Sequence, residues 1–516
     1  MGGKGNFFLV KGGWCWFKIV ARMPFFCENF FQKFTIQVAI VNKIFYIVGF
    51  QCEKKLREDL TKVETACIFA SRKREWGRYP KTVKMEKIMK EDFLHYVWQN
   101  RHYDFLNLKT TDGRGVKVVF PGYHNHDAGP DFLQAVVELD GMRWVGSVEI
   151  HCRSSDWLRH NHQYDDKYRS VILHVVYEYD MEIKITDSET VPTLELKGLI
   201  PKELYDRYAS LVASPDKLLC RWCLPDLDSL VIQNQLSKVL VERMTGRQDR
   251  YYSMLEACNK DWRELVYRMF AIGFGCKKNA TAFELLAQSL PYRILKTHHS
   301  SKLQIYALLF GQSGMLDGVE GDEYTDRLRY EYDYLRYKYQ LTPIGVHHWN
   351  WLRLRPQNFP SLRLAQFAQL LYETGDLLSD RVLHSPYTQL LQWLTVAPDA
   401  YWERHYQLGK PSGKHASGLG RATADLLVIN TVVPLRFCYA RFFGDGDMQE
   451  DALALLERVR YENNKATRVF TDSAFPCNSA YDSQAQMELM EHYCERKRCL
   501  SCSIGEKIVR GMGVPH

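Results

Sequence analysis

The sequence predicts an α+β protein, in which a mixed α/β domain over residues 85–205 leads into a large all-helical region over 206–516. Three observations carry that reading. Between residues 116 and 196, short β-branched and aromatic runs are bounded by turn residues. Beyond Pro201, apolar residues recur every three or four positions. The charge balance changes near residue 84: residues 1–84 carry 16 Lys+Arg against 6 Asp+Glu, and the remainder 52 against 55.

Residues 91–100 place Phe93, Leu94, Val97 and Trp98 on one helical face. Strands follow at 116–120, 133–139, 143–150 and 171–177, with one or two more within 182–196. The polar stretch 155–169 lies before the 171–177 run and is long enough for a short helix, so the order reads helix, three strands, helix, strand. Farther on, 230–244, 262–274, 282–290 and 451–459 repeat apolar residues at helical spacing, without a fixed repeat period.

Composition narrows the function classes. The net charge of +7 comes from residues 1–84, so any nucleic-acid contact in the body needs a local basic patch. The 14 cysteines, scattered through a long chain, read as reduced thiols of an intracellular, cytoplasmic protein rather than a secreted disulfide framework. The apolar run 34–50 has Asn42-Lys43 at its centre and no Ala-x-Ala cleavage site after it, which fits neither a secretory signal nor a full membrane span. Residues 1–84 are expected to be a non-native or disordered extension, with a membrane-associated anchor as the competing reading and no membrane for the core. No Walker loop, Gly-x-Gly-x-x-Gly run or nucleophile elbow is present, which leaves nucleotide-driven and esterase chemistry without support.

The chemistry-bearing stretch is Gly129-Pro130-Asp131-Phe132, a strand, Asp140-Gly141, a second strand, and Gly146-Ser147-Val148-Glu149-Ile150-His151. Asp140-Gly141 signals a hairpin, and its turn type decides whether a site exists. A two-residue turn sets Asp131 opposite Ile150 and turns Glu149 to the other face. A three-residue loop, Leu139-Asp140-Gly141 with Gly141 left-handed, sets Asp131 opposite Glu149 with His151 on the same face. Only the second register is expected to build a site. Two facing carboxylates repel unless a cation lies between them, and hard oxygen ligands suit Mg²⁺ or Mn²⁺.

With Pro-Asp opening one strand and Glu-x-His on the next, this arrangement resembles the PD-(D/E)XK nuclease superfamily and its restriction-endonuclease-like fold. The resemblance implies that Asp131 and Glu149 hold the metal, that Glu91 or Asp92 on the first helix supplies a further acidic group, and that His151 stands where the lysine would activate water. A wider stretch is similar to a bacterial family, domain of unknown function 2851. It runs from Gly129-Pro130-Asp131-Phe132 through Ser154-Ser155-Asp156-Trp157 and His160-x-His162 to the strand 171–177, and includes Arg353-Leu354-Arg355-Pro356 and Asn358-Phe359-Pro360. That family brings no established activity.

His124, His126, His160, His162 and His174 also fall in the α/β domain, and His-x-His followed by Asp165 and Asp166 suits a zinc hydrolase. The favoured expectation is that His160 and His162 face solvent or nucleic acid and that His174 is a hydrogen-bonded core residue. Cys494-x4-Cys499-x2-Cys502 could share Zn²⁺ or an iron–sulfur cluster, with Cys477, His492 or the Cys220/Cys223 pair supplying the missing ligand; packing cysteines are the alternative. Residues 346–363 interleave His347, His348, Trp349 and Trp351 with Arg353, Arg355 and Arg363, either a nucleic-acid grip or a proline-bounded core connection. The expected function is a divalent-metal-dependent nuclease acting on DNA or RNA. The alternatives are a catalytically inactive binding or scaffold protein and a zinc hydrolase.

Overall fold

The first described helix, α1 (Glu91–Gln99), sinks Phe93, Leu94, Val97 and Trp98 completely into the core, as the apolar spacing requires. Each such burial contributes about 1.5–3 kcal/mol. Glu91 and Asp92 occupy its first turn, where the helix dipole favours negative charge. The computed structural model describes residues 89–186 and 189–511, so the expectations for residues 1–84 lie outside the described residues.

Six strands form the main sheet: β1 (Val116–Phe120), β2 (Tyr123–His124), β3 (Phe132–Leu139), β4 (Met142–Arg153), β5 (Val171–Glu178) and β8 (Thr193–Glu195). Their order is β1-β3-β4-β5-β8, with β2 also pairing with β3. The β1–β3 and β3–β4 pairs are antiparallel, whereas β4–β5 and β5–β8 are parallel. The crossover from β4 to β5 holds a short helix, α2 (Asp156–Arg159), and two 3₁₀ turns. A small ribbon, β6 (Lys184–Thr186) with β7 (Glu189–Thr190), precedes β8.

The β3–β4 hairpin decides between the two turns open to the sequence. Leu139 pairs directly with Met142, so the connection is the two-residue Asp140-Gly141 turn. Both residues are left-handed (φ 48° and 82°), as a type I′ turn demands. The three-residue loop does not form. The register that it was meant to supply arises elsewhere, from a bulge in β3 at Leu133-Gln134, where Gln134 takes φ 57°. Pairing changes there from Ala135↔Gly146 to Phe132↔Val148, a slip of one residue.

β4 is two strands in character. Its outer half, from Met142 to Val145, is exposed, while Ser147 to His151 are all buried, flanked by β3 and β5. Gly146 marks the change, because a side chain there would collide with Ile172 and lie 2.6 Å from the Ser170 carbonyl.

The sheet leads through α3 (Lys202–Val212) into the helical region. Asp228 caps α4 (Ser229–Ala257) and Asp261 caps the 28-residue α5 (Trp262–Ser289). The expected segments 262–274 and 282–290 both lie within α5, with a break at Cys276 (φ 49°, ψ −153°) between them. The run Arg421–Phe443 is long and apolar enough to cross a membrane, and 67% of its most apolar window is buried inside the protein. One core runs from Phe93 to Val509, and Arg207 Nε of α3 donates to the Val509 carbonyl at 2.7 Å.

Candidate metal centre

β4 puts Glu149 and His151 on one face of the sheet, two residues apart. On β5, His174 is the register partner of Glu149, and its Nε2 lies 2.9 Å from His151 Nδ1. Because of the bulge, Asp131 arrives beside Glu149 rather than beside Ile150. The Asp131 amide donates to Glu149 Oε2 at 3.1 Å, and the Ile150 amide donates to Asp131 Oδ2 at 2.9 Å.

The segment after β4 closes over this face. Asp180 anchors it, accepting from the Ser155 amide and from the hydroxyls of Ser154 and Ser155. Asn161, left-handed at φ 63°, then reverses the chain between His160 and His162. Tyr168 stacks on His162 at 3.8 Å, and Trp157 stands edge-on to His151, His162 and His174. As a result one nitrogen each from His151, His160 and His162 falls within 4.8 Å of the others. His151 Nε2 is 3.1 Å from His160 Nδ1. Glu149 Oε1 lies 3.1 Å from His162 Nε2 and 3.5 Å from His151 Nε2.

Burial governs the charges. It pushes His151 down to about 2, with the neighbouring His174, His162 and His160 adding to the effect, and His174 down to about 3. Both imidazoles are therefore neutral near pH 7 and keep a lone pair. Burial raises Glu149, against the opposing pull of His162. It raises Glu91 too, with His160 lowering and Asp131 raising that carboxyl. His162 Nε2, though close to Glu149 Oε1, has no hydrogen-bond partner, and neither has His174 Nδ1. A buried carboxylate ringed by imidazole nitrogens fits a site that a cation completes. Three imidazoles with a carboxylate suit Zn²⁺ or Mn²⁺ better than Mg²⁺, which prefers oxygen ligands.

The structure thus gathers Asp131, Glu149, His151, His160 and His162, with Glu91 in electrostatic reach. His160 and His162 belong to this group; His160 is exposed, as the polar-surface expectation had it, and His162 is half-buried against Glu149 and Tyr168. His174 is the hydrogen-bonded core residue anticipated. Sequence reasoning missed His95, whose Nε2 is 3.2 Å from Asp131 Oδ2. Its signal was present: His95 follows Glu91 by four residues, one helical turn on the same face.

Among the proposed nucleic-acid contacts, Arg363 is a correction. It is only 6% exposed and donates to Gln366 Oε1 and Asn358 Oδ1, so it is a core residue. Arg353 and Arg355 are exposed. Trp349 is buried and donates to the Ser313 carbonyl, as the core-connection reading required. Cys220 joins Cys494, Cys499 and Cys502 around one cavity, which Cys223 does not line. A larger cavity of about 780 Å³, lined by residues such as Arg101, Tyr103, Lys197 and Tyr205, contains none of the carboxylate–imidazole residues.

Neither the curated proteins nor the solved structures contain a match to this chain. A family model described as protein of unknown function, DUF2851, matches residues 91–465, which include the whole carboxylate–imidazole group. The chain belongs to the DUF2851 family.

Proposed function

We propose that this protein is an intracellular, divalent-metal-dependent phosphodiester hydrolase of nuclease type, with its metal held by Asp131, Glu149 and the imidazoles of His151, His160 and His162. The observation that carries the reading is the convergence of a carboxylate pair and three imidazoles where the crossover segment closes over one sheet face. The order of a helix, antiparallel strands and a parallel crossover strand, with Pro-Asp and Glu-x-His at its centre, supports the comparison with PD-(D/E)XK nucleases. A bound cation would polarise the scissile phosphate and lower the pKa of a water.

The chain's own residues have distinct tasks. With its proton assigned to Nδ1 and donated to His174, His151 turns the Nε2 lone pair toward the other ligands. That makes His151 a ligand and positioning group rather than a simple replacement for a lysine. Glu91, whose charge burial disfavours, is the group proposed to exchange a proton with water. Exposed Arg353 and Arg355 are proposed to contact the nucleic-acid backbone.

The nitrogen-rich donor set favours a second reading, a zinc hydrolase with another substrate class. The test is a cleavage assay on single- and double-stranded DNA and RNA with Mg²⁺, Mn²⁺ or Zn²⁺, beside Asp131→Asn and Glu149→Gln. Cleavage supported by Mn²⁺ and abolished in both variants is expected. No cleavage with any ion, alongside tight metal binding, would move the protein to the binding or scaffold class.

A further inference from the structure

We infer that Cys220, Cys494, Cys499 and Cys502 form a four-thiolate site for an iron–sulfur cluster, separate in function from the carboxylate–imidazole centre. Three of the four residues lie beyond the stretch that the family model matches. Two distant segments supply the thiols, and all four line a single cavity with Leu219, Tyr493, Arg498 and Gly505. None is in a disulfide.

The C-terminal segment is shaped to bring its three sulfurs together. Cys494 ends a π-helical turn (Met490–Cys494), and Lys497, left-handed at φ 55°, reverses the chain. Cys499 opens a 3₁₀ turn, and Cys502 caps the helix Ser503–Arg510. Gly505 permits the closeness, since any side chain there would collide with the Cys499 carbonyl. Burial pushes the Cys502 thiol up, and the amides of Gly505 and Ile504, at the start of that helix, pull against it. Amide donors and the positive end of a helix stabilise a thiolate, as ligation demands. Arg498 at the cavity wall adds positive charge where four thiolates would place negative charge.

Spacing selects the kind of centre. Cys494-x4-Cys499-x2-Cys502 with one distant fourth cysteine is a spacing that iron–sulfur clusters use. A polynuclear cluster spreads its four thiolates over several metal atoms, so they need not close on one point. Bound there, it would tie the turn at Cys220 to the C-terminal segment.

The test uses the full chain purified without oxygen, with iron, acid-labile sulfide and zinc measured together. Iron and sulfide in equal amounts are expected, falling to background in Cys220→Ser and Cys499→Ser and unchanged in Cys223→Ser. Absence of iron, zinc in place of iron, or iron retained in both variants overturns the inference. Should the variants fail to fold, Mössbauer spectra of the wild-type protein decide: a cluster signal supports the inference and its absence refutes it. No cleavage is measured, so this result stands apart from the fate of the nuclease reading.

Discussion

The two clusters of candidate metal ligands in this protein are built in opposite ways. The carboxylate–imidazole group comes from neighbouring strands and one crossover, and its three imidazole nitrogens already lie within bonding reach of a single ion. The thiol group joins Cys220 to a segment near the other end of the chain, around one cavity. Local construction gives a tight site that can hold its shape before a cation arrives. Long-range construction gives a site whose ligand would also act as a cross-link. The first group should therefore govern activity, and the second should govern cohesion.

The largest expected effect breaks the first group directly. Glu149→Gln should lower metal affinity and cleavage by more than about 100-fold, beyond the 10–100-fold typical of outer partners, as read by calorimetric titration with Mn²⁺ and by the cleavage assay. An unchanged titration would detach Glu149 from the centre. His174→Phe keeps the ligands but removes the partner of His151 Nδ1, so a 10–100-fold weaker affinity is expected.

Stability sharpens the comparison next. Gly146→Ala forces a methyl group against Ile172 and Ser170 and should cost about 1–3 kcal/mol in urea unfolding. It should also weaken Mn²⁺ binding while leaving the iron content of the thiol group unchanged. Equal loss at both places would contradict their independence.

In metal-stripped protein, pH should act on the first group. His151 and His174 have folded pKa values far below 6.5, so the unfolded chain binds protons that the folded protein refuses. Their contribution is fully present above about pH 6.5 and is lost as pH falls toward about 3, by up to about 1.4 kcal/mol per pH unit for each histidine. Urea titrations at pH 7 and pH 5 should show this slope, roughly halved in His174→Phe. A flat response would mean that the two imidazoles are not held neutral. The smallest effect is expected from Arg353→Ala with Arg355→Ala: stability within about 0.5 kcal/mol of wild type, and weaker, less salt-dependent nucleic-acid binding.

Much of this was legible in the chain. The helix at 91–100, the strands of the sheet other than β2 and the helical switch after Pro201 follow from apolar spacing and turn-bounded β-branched runs, and the α+β class stands. Both turn types were open at Asp140-Gly141, and the two-residue turn that forms is the one the Asp-Gly pair favours. Gln134 hid the bulge, since a left-handed glutamine carries none of the signature that glycine gives. That His160 and His162 meet His151 was not legible, because no local pattern announces that Asn161 reverses the chain between them. Arg363 looked like part of a basic stripe until the packing of its helix turned it inward.

The bulge at Gln134 has a consequence for how such a centre is inherited. Removing one residue between Leu133 and Ala135 would leave a regular hairpin with the same turn and a longer unbroken ladder, and Phe132 would still face Val148, with Asp131 beside Glu149. Straightening the strand at its full length would instead slide Asp131 to Ile150, on the face away from Glu149. The carboxylate pair therefore survives the loss of a codon at the bulge and is destroyed by a slip of the strand that keeps every residue.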